Sequence, residues 1–403
     1  LKLKVEAPVV LSLICRFCRT FRGLLRVTVA MAKCGCLCVS AFLAAALAVL
    51  AGMMHAGRLR FIAPYFAMLH QNIGMSPAVW GDKPWLYEYT SLPRLDGKVA
   101  IVTGANSGVG FWTAVHLARQ GAHVYVGCRS SSKCDRAVEL IKANSSAAKV
   151  EPAIMDVSIM ASVRTFAAAF REKHGLLDIF VANAGIGFAG PQARTVEGLE
   201  PIFATNHVGH QLLYTLLEDL IQAAADKKGD ARVVAVSSMA HFNAEQGCAL
   251  TEKDLHDLYD AEEPFKVYAY GRSKLANVLF AKEVAARNTQ RKVFANSAHP
   301  GAVQTEIWSN HKQEKKPDSI IFGMFDSVVE YFKESMWTSE EGALTQVYLA
   351  ASDDVRVQDI RGRYYHPQAQ EVLPSMPWAV NWTHQKAVWA FTEELIAKVA
   401  ERG

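Results

Sequence analysis

Short apolar runs alternate with amphipathic segments along most of the chain. The first run, KVAIVTG at residues 98–104, is followed by FWTAVHLARQG, in which apolar residues recur at helical spacing. Further apolar runs, each separated from the next by a helical segment, begin at Ala122, Lys149, Leu177, Ala231 and Lys292. Because continuous apolar strands that alternate with helices are typical of parallel sheets, the pattern predicts an α/β domain. We expect one doubly wound parallel sheet with helices on both faces and ligands at the carboxyl ends of its strands.

The helical segment YAYGRSKLANVLFAKEV at residues 268–284 places a phenol and an ammonium together. Tyr270 and Lys274 are four residues apart, so they share one face of the helix. The pair could simply lie at the edge of the core. Alternatively, Lys274 tunes the phenol, because an adjacent cation favours the phenolate and lowers a pKa that is normally about 10. Tyr268 and Arg272 have the same spacing, so spacing alone does not choose between the two tyrosines.

Near the amino terminus, residues 34–54 form a run of 21 residues without a charged side chain. A helix needs about 20 apolar residues to cross a bilayer, so the run predicts a transmembrane anchor. A cleaved signal peptide is the alternative, because the run is rich in alanine and small residues follow it. The first methionine is Met31, so residues 1–30 are either native or upstream sequence.

These features divide the chain into four predicted parts. Residues 58–95 hold several prolines and aromatic residues without sustained periodicity, which indicates a connector. The predicted parts are a basic segment at 1–33, a transmembrane or signal-anchor helix at 34–57, the connector at 58–95, and the α/β domain with a C-terminal helical extension at 96–403.

Charge and cysteine usage narrow the class of protein. The formal net charge is +4 and the basic residues form no long run, so we expect no nucleic-acid partner. Five of the eight cysteines precede residue 40, and such a sparse remainder predicts a domain that is reduced rather than built on disulfides. The remaining three are Cys128, Cys134 and Cys248. No metal-ligand spacing relates the histidines, and we expect structural roles for His207, His210 and His241.

A glycine-rich loop and a cation follow the first two predicted strands. The loop TGANSGVG carries Gly104, Gly108 and Gly110, which let backbone amides approach a pyrophosphate at a helix N-terminus. A plain strand-to-helix turn is the alternative. Where a site for NAD(H) places a carboxylate, the second strand is followed by Arg129, with Lys133 nearby. A cation suits a 2′-phosphate, so the expected cofactor is NADP(H), although a solvated loop charge would look the same.

Several motifs now stand in a specific order along the chain. The glycine loop is followed by Asn183-Ala184-Gly185, then by Ser237-Ser238, and then by Tyr270-x-x-x-Lys274. In this order, residues 96–370 resemble the short-chain dehydrogenase/reductase family and its retinol-dehydrogenase-like branch. Light-dependent protochlorophyllide reductases are similar to a lesser degree. The fold that the resemblance implies is a Rossmann-type sheet.

The resemblance implies a role for each of four catalytic residues. Tyr270 would be the general acid and base that exchanges a proton with the substrate oxygen. Lys274 would bind the nicotinamide ribose and lower the pKa of Tyr270. Ser238 would hold the substrate carbonyl, and Asn206 would complete a proton relay through a water molecule.

The resemblance also implies a set of cofactor-binding residues. Asp156 and Val157 would flank the adenine, residues 183–185 would line the central groove, and residues 300–305 would hold the nicotinamide end. The chain departs from the usual family pattern at Ala182, where a second asparagine is common. The complete set is Gly104, Asn106, Ser107, Gly108, Val109, Gly110, Arg129, Asp156, Val157, Asn183, Ala184, Gly185, Tyr270, Lys274, Pro300, Gly301, Val303 and Thr305.

The predicted activity is hydride transfer between NADP(H) and the carbonyl or hydroxyl carbon of a lipophilic substrate, such as a retinoid, a sterol or another aldehyde or ketone. We expect residues 305–337 to form the substrate wall. The alternatives are a light-dependent reductase of a double bond and a catalytically silent nucleotide-binding protein. The expected partners are the lipophilic substrate, a membrane and a second copy in a homodimer. We expect an endoplasmic reticulum or other internal membrane, with the domain facing the cytosol.

Overall fold

The computed structural model describes six stretches of the chain, which are residues 92–145, 147–187, 194–246, 267–303, 337–373 and 377–402. The predicted membrane segment at 34–57, nearly all of the connector and almost all of the predicted substrate wall lie outside the described residues. Within these six stretches, no helix combines the length and the apolar composition that a membrane crossing requires.

The centre of the structure is a sheet of eight strands. From edge to edge, the strands are ordered β3-β2-β1-β4-β5-β6-β7-β8. Neighbours from β3 to β7 are parallel, and only the last pair, β7 with β8, is antiparallel. The strands are β1 (Val99–Thr103), β2 (His123–Cys128), β3 (Lys149–Ile154), β4 (Ile179–Ala182), β5 (Ala231–Val236), β6 (Val293–Ala298), β7 (Tyr364–His366) and β8 (Gln370–Glu371).

Helices connect the strands. A π-helical turn at Ala204–Val208 joins α4 to α5, and 3₁₀ helices lie at Met239–Gln246 and Pro367–Ala369. The α-helices are α1 (Gly108–Arg119), α2 (Ser131–Asn144), α3 (Met160–Lys173), α4 (Pro201–Phe203), α5 (Gly209–Lys228), α6 (Val267–Arg287), α7 (Ser339–Ala351), α8 (Asp353–Val357), α9 (Pro377–Val380) and α10 (Trp382–Arg402).

The two faces of the sheet are both covered, as the apolar runs predicted. Successive residues of a strand point to opposite faces. On β1, Ile101 therefore packs into one apolar cluster with α3, α5, α6 and α10, whereas Ala100 and Val102 pack into a second with α1, α2 and α7. All three side chains are fully buried. The predicted doubly wound α/β fold is confirmed for this part of the chain.

Helix α10 packs against α6 through aromatic side chains. The ring of Trp389 stacks on Phe280, with 5.9 Å between centroids and 3° between planes. The Arg287 guanidinium lies 4.1 Å from the centroid of Trp389, which is a cation–π contact. The C-terminal helix therefore supports the helix that carries Tyr270 and Lys274.

One expectation about the cysteines is wrong. Cys128, the last residue of β2, and Cys134, in the first turn of α2, form a disulfide bond with 5.7 Å between their Cα atoms. The turn between β2 and α2 reverses the chain within six residues, which brings the two side chains together. A count of cysteines along the sequence does not show this proximity, because it depends on the course of the turn.

Candidate active site

The predicted site residues lie at one edge of the sheet, because the strands that precede them are parallel. The glycine loop follows β1, residues 183–185 follow β4, and Ser238 follows β5. The chain runs outward from β1 through β2 and β3 and then returns to place β4 on the other side of β1. This reversal of strand order opens a crevice at the carboxyl ends of β1 and β4, the position in which such sheets bind nucleotides.

The glycine loop fits closely against the loop after β4. Gly104 and Gly108 have φ values of +65° and +61°, which favour glycine. A Cβ on Gly104 would lie 2.8 Å from Ala184 Cα, and one on Gly110 would lie 2.3 Å from Asn183 Nδ2. Ser107, at the N-cap of α1, makes no side-chain capping bond to the amides of the helix. The first backbone amides of α1 are therefore available to a ligand. Because amides at a helix N-terminus bind phosphate groups, the glycine loop fits a pyrophosphate.

Thr103, the last residue of β1, holds the loop after β4 in place. Its Oγ1 accepts hydrogen bonds of 2.9 Å from the backbone amides of both Asn183 and Ala184. The Asn183 amide group in turn donates to the Thr103 carbonyl at 2.8 Å. The loop predicted to line the cofactor groove is therefore fastened to the central strand by buried hydrogen bonds.

Asn206 lies in the π-helical turn, where such insertions often mark functional positions. Its side chain is fully buried, and Oδ1 accepts from Ile186 N at 2.8 Å while Nδ2 donates to Ile186 O at 3.1 Å. Nδ2 also donates to Ser273 Oγ on α6 at 2.9 Å. The asparagine thus joins the loop after β4 to the helix that carries Tyr270.

Lys274 reaches from α6 to the same loop. Its Nζ donates to Val236 O at 3.0 Å and lies 5.5 Å from the centroid of the Tyr270 ring. A Cβ on Gly185 would be 3.4 Å from this nitrogen and 3.2 Å from Asn206 Oδ1. Burial lowers the pKa of Lys274 to about 8. The structure therefore brings three predicted site residues together around the end of β4.

The phenol of Tyr270 interacts with the hydroxyl of Ser238. Burial raises the pKa of Tyr270 to about 12, and the hydrogen bond to Ser238 acts in the opposite direction. Burial, rather than the charge of Lys274, is thus the main influence on this phenol in the protein itself. The helical spacing suggested that Lys274 lowers the pKa of Tyr270, but the lysine is not the dominant influence on that pKa.

The two serines after β5 have different tasks. Ser237 is 1% exposed, and its Oγ donates to Lys274 O at 2.7 Å, which anchors β5 to α6. Ser238 Oγ accepts from Ala240 N at 3.1 Å and faces Tyr270. Ser238, the second serine of the pair, stays the predicted contact of a substrate oxygen.

The other predicted cofactor residues follow β2 and β3. Arg129 is exposed in the turn that the Cys128–Cys134 disulfide closes. Asp156 Oδ1 accepts from Ser158 N and Ser158 Oγ at 2.9 and 2.7 Å, so it shapes the turn after β3, and Val157 is buried beside it.

The loop after β6 reaches the same end of the sheet. Gly301 has a φ of +92°, and a Cβ there would lie 2.5 Å from Trp337 Cδ1. Pro300 precedes this glycine, and Val303 pairs with Trp337 in an isolated β-bridge. Thr305 lies outside the described residues.

Two residues of the site, Thr103 and Ile186, were not predicted. Ile186 O accepts a hydrogen bond from Asn206 Nδ2. His210, which we expected to be structural, also contacts this network through Thr103 and Asn206. The available signals were that Thr103 ends the strand before the glycine loop and that His210 follows Asn206 by one helical turn. Among the described residues, no group of histidine, cysteine and acidic side chains could hold a metal ion.

Comparisons with known proteins identify the family of this chain. A sequence profile of the short chain dehydrogenase family matches residues 98–250. The human WW domain-containing oxidoreductase is 36% identical over 301 residues, which cover 74% of this chain and 68% of that protein. Human retinol dehydrogenase 14 is 31% identical over 366 residues, which cover 88% of this chain and 97% of that protein.

The fold has a similar solved counterpart. A crystal structure of an uncharacterised protein from Mycobacterium paratuberculosis superposes with a TM-score of 0.57 at 28% identity, and it covers 77% of this chain and 97% of its own. The extent and identity of these matches, together with the order of the motifs, place the chain in a single group of enzymes. It belongs to the short-chain dehydrogenase/reductase family of oxidoreductases.

Proposed function

We propose that the protein is an NADP(H)-dependent oxidoreductase that interconverts an alcohol and a carbonyl group on a lipophilic substrate. The observation that carries the proposal is the convergence of Ser238, Tyr270, Lys274 and Asn206 beside the carboxyl ends of β4 and β5. These groups lie on different elements. Lys274 is only 3% exposed and lies beside the phenol of Tyr270, an arrangement that structural packing alone does not require.

In the reductive direction, the bound nicotinamide would supply a hydride to the carbonyl carbon. Tyr270 would donate its phenolic proton to the carbonyl oxygen, while the Ser238 hydroxyl donates a hydrogen bond to the same oxygen. Lys274 would hold a ribose hydroxyl through the Nζ hydrogens that it does not donate to Val236 O. Through this hydroxyl the lysine would return a proton to Tyr270, and a water molecule held by Asn206 would return a proton to the lysine. In the oxidative direction, Tyr270 accepts the proton of the alcohol.

The preference for NADP(H) rests on the turn after β2. The sequence RSSSK at residues 129–133 contains two cations and three hydroxyl groups but no carboxylate. Arg129 is exposed and can form charge-assisted hydrogen bonds with a 2′-phosphate, whereas residues 129–133 offer no carboxylate for a ribose 2′-hydroxyl.

Lipophilic substrates are supported by the name of a relative. Retinol dehydrogenase 14 is named for an apolar alcohol, and its match covers 88% of this chain. We also propose that residues 34–57 attach the protein to the endoplasmic reticulum or another internal membrane, with the domain in the cytosol. We further propose that residues 305–337 form the wall of the substrate site and that the protein forms a homodimer.

The test compares Tyr270→Phe with the wild-type enzyme in detergent, using NADPH and a panel of retinaldehyde, aliphatic aldehydes and ketosteroids. The wild-type protein should reduce at least one apolar carbonyl compound. The activity of Tyr270→Phe should be at least 1,000-fold lower, a loss of the order expected when a general acid is removed. A fluorescence titration should show that this variant still binds NADPH.

Tyr268→Phe is the matched control, because Tyr268 has an arginine at the equivalent position of the next turn. This variant should keep nearly full activity. Equal losses in the two variants, or reduction by Tyr270→Phe at the wild-type rate, would reject Tyr270 as the proton donor. Nucleotide binding without turnover on any carbonyl compound would instead indicate a catalytically silent protein.

A further inference from the structure

His210 lies one helical turn after Asn206 and is 1% exposed. Its Nδ1 is 3.0 Å from the main-chain oxygen of Asn206, and its Nε2 is 2.7 Å from Thr103 Oγ1. The imidazole therefore lies between the catalytic asparagine and the residue that fastens the loop after β4. No other described side chain makes hydrogen bonds to both of these groups.

The hydrogen positions in this network follow from the chemistry of its members. A carbonyl oxygen can only accept, so His210 Nδ1 carries the hydrogen and donates to Asn206 O. The other nitrogen of a neutral imidazole accepts, and Thr103 Oγ1 donates to it. The lone pairs of Thr103 Oγ1 accept from Asn183 N and Ala184 N. Burial lowers the pKa of His210 to about 4, and the charge of Lys274 acts in the same direction, so the ring stays neutral at physiological pH.

His210 bonds the carbonyl of a residue in the π-helical turn. In such a turn, backbone hydrogen bonds run from residue i to i+5 rather than to i+4. Asn206 lies within the turn, and the side chain of the residue four positions later bonds its carbonyl. A carbonyl oxygen has two lone pairs, so the bond from His210 leaves Asn206 O with one lone pair for a further donor.

We propose that His210 is a positioning residue, which holds the carbonyl of Asn206 in the proton relay through Nδ1 and the cofactor loop at residues 183–185 through Nε2 and Thr103. The inference rests on the proposed function, in which Asn206 holds the relay water. It assigns a separate task to each ring nitrogen, and the two tasks affect different kinetic constants.

Two substitutions separate the tasks, because the amide of asparagine reaches the position of Nδ1 and the amide of glutamine reaches that of Nε2. His210→Asn should keep the bond to Asn206 O, so kcat should stay within about twofold while the KM for NADPH rises about tenfold. His210→Gln should keep the bond to Thr103, so the KM for NADPH should stay near its value while kcat falls about tenfold. Tenfold corresponds to the loss of one buried hydrogen bond.

Gln211→Met is the matched control. Gln211 is the next residue along α5, is fully buried, and donates from Nε2 to Trp389 O at 3.0 Å, away from the crevice. This variant should lower the melting temperature and leave both kinetic constants unchanged. Thr103→Val is a second probe that leaves His210 in place, and it should raise the KM for NADPH as His210→Asn does.

Parallel changes of kcat and KM in the two His210 variants would overturn the inference, as would a fall in melting temperature without any kinetic change. If the His210 variants do not fold, an unchanged KM for NADPH in Thr103→Val would overturn it, and a raised KM would support it. Failure of the proposed function is distinguishable, since it would appear as an active Tyr270→Phe enzyme.

Discussion

Burial shifts the pKa values of two groups on α6 that belong to the candidate site. It raises the pKa of Tyr270 to about 12 and lowers that of Lys274 to about 8. At neutral pH the phenol is therefore protonated and the amine is largely charged. A protonated phenol can act as a general acid, which is what carbonyl reduction requires. In the oxidative direction the phenol must lose its proton, so this direction should gain from a rise in pH.

At the residue scale, the proposed preference for NADP(H) depends on one exposed guanidinium, that of Arg129. Arg129→Asp should raise the KM for NADPH at least tenfold, a change of about 1.4 kcal/mol in binding, because a 2′-phosphate would meet a carboxylate instead of a cation. The KM for NADH should be unchanged or lower. Initial rates with each nucleotide, measured at constant ionic strength, give both constants.

The control for this prediction is Arg136→Asp, which makes the same change of charge on an exposed residue of α2, seven positions further along. It should leave the preference for NADPH over NADH unaltered. If Arg129→Asp and Arg136→Asp behave alike, the effect is one of overall charge, and Arg129 does not contact the 2′-phosphate.

Site residues that belong to a short sequence motif could be predicted, whereas residues whose contacts are distant along the chain could not. Tyr270 and Lys274 are one helical turn apart, and Ser238 ends an apolar run, so each can be read from its neighbours. The bond between Thr103 and His210 joins positions 107 residues apart. No local pattern encodes such a contact, because it depends on how α5 packs against β1.

At the element scale, the alternation of strands and helices was predictable for a physical reason. Strands that are buried on both faces need apolar residues at every position, so they appear as continuous apolar runs. Strands β7 and β8 were not predicted, since they have three and two residues and are too short to show a period. The order of the strands was not readable either, because it is set by where each crossover returns to the sheet.

The turn between β2 and α2 offers a prediction at this scale. A bond between Cys128 and Cys134 restricts the unfolded chain, so Cys134→Ala should lower the free energy of unfolding by about 2 kcal/mol, the range for a short loop. Urea unfolding monitored by circular dichroism would measure the difference, and the same experiment after reduction should bring the wild-type protein to the level of the variant.

Peptide mapping provides the direct check on this bond. When the unfolded protein is alkylated without prior reduction, Cys128 and Cys134 should remain unmodified and appear in linked peptides by mass spectrometry. A sample that is reduced first should carry the alkyl group on both. Full alkylation of the two cysteines in the unreduced sample would show that they are thiols.

At the scale of the whole molecule, the sheet order and the helices act together to build the site. The crevice exists because β1 lies between β2 and β4, and the loops that meet there come from strands throughout the sheet. Helix α6 carries Tyr270 and Lys274 to this edge, and α10 packs behind it through Trp389 and Phe280. The position of the site is therefore a consequence of the topology, whereas its chemistry depends on the residues placed there.

The last prediction concerns attachment of the whole protein to a membrane. Residues 34–54 carry no charge over 21 positions, and Arg58 and Arg60 follow them. About 20 apolar residues are enough to cross the hydrocarbon core, and a run of this length resists release by alkaline carbonate. We therefore expect the full-length protein to remain in the membrane pellet after extraction at high pH.

A variant that lacks residues 34–54 is the control, and it should move to the supernatant with the NADPH-dependent activity intact. Protease added to sealed vesicles should digest the domain if it faces the cytosol. Recovery of the wild-type protein in the supernatant, shortened by about 20 residues at its amino end, would identify the run as a processed signal peptide. A retained anchor would keep the enzyme on the membrane in which an apolar substrate dissolves.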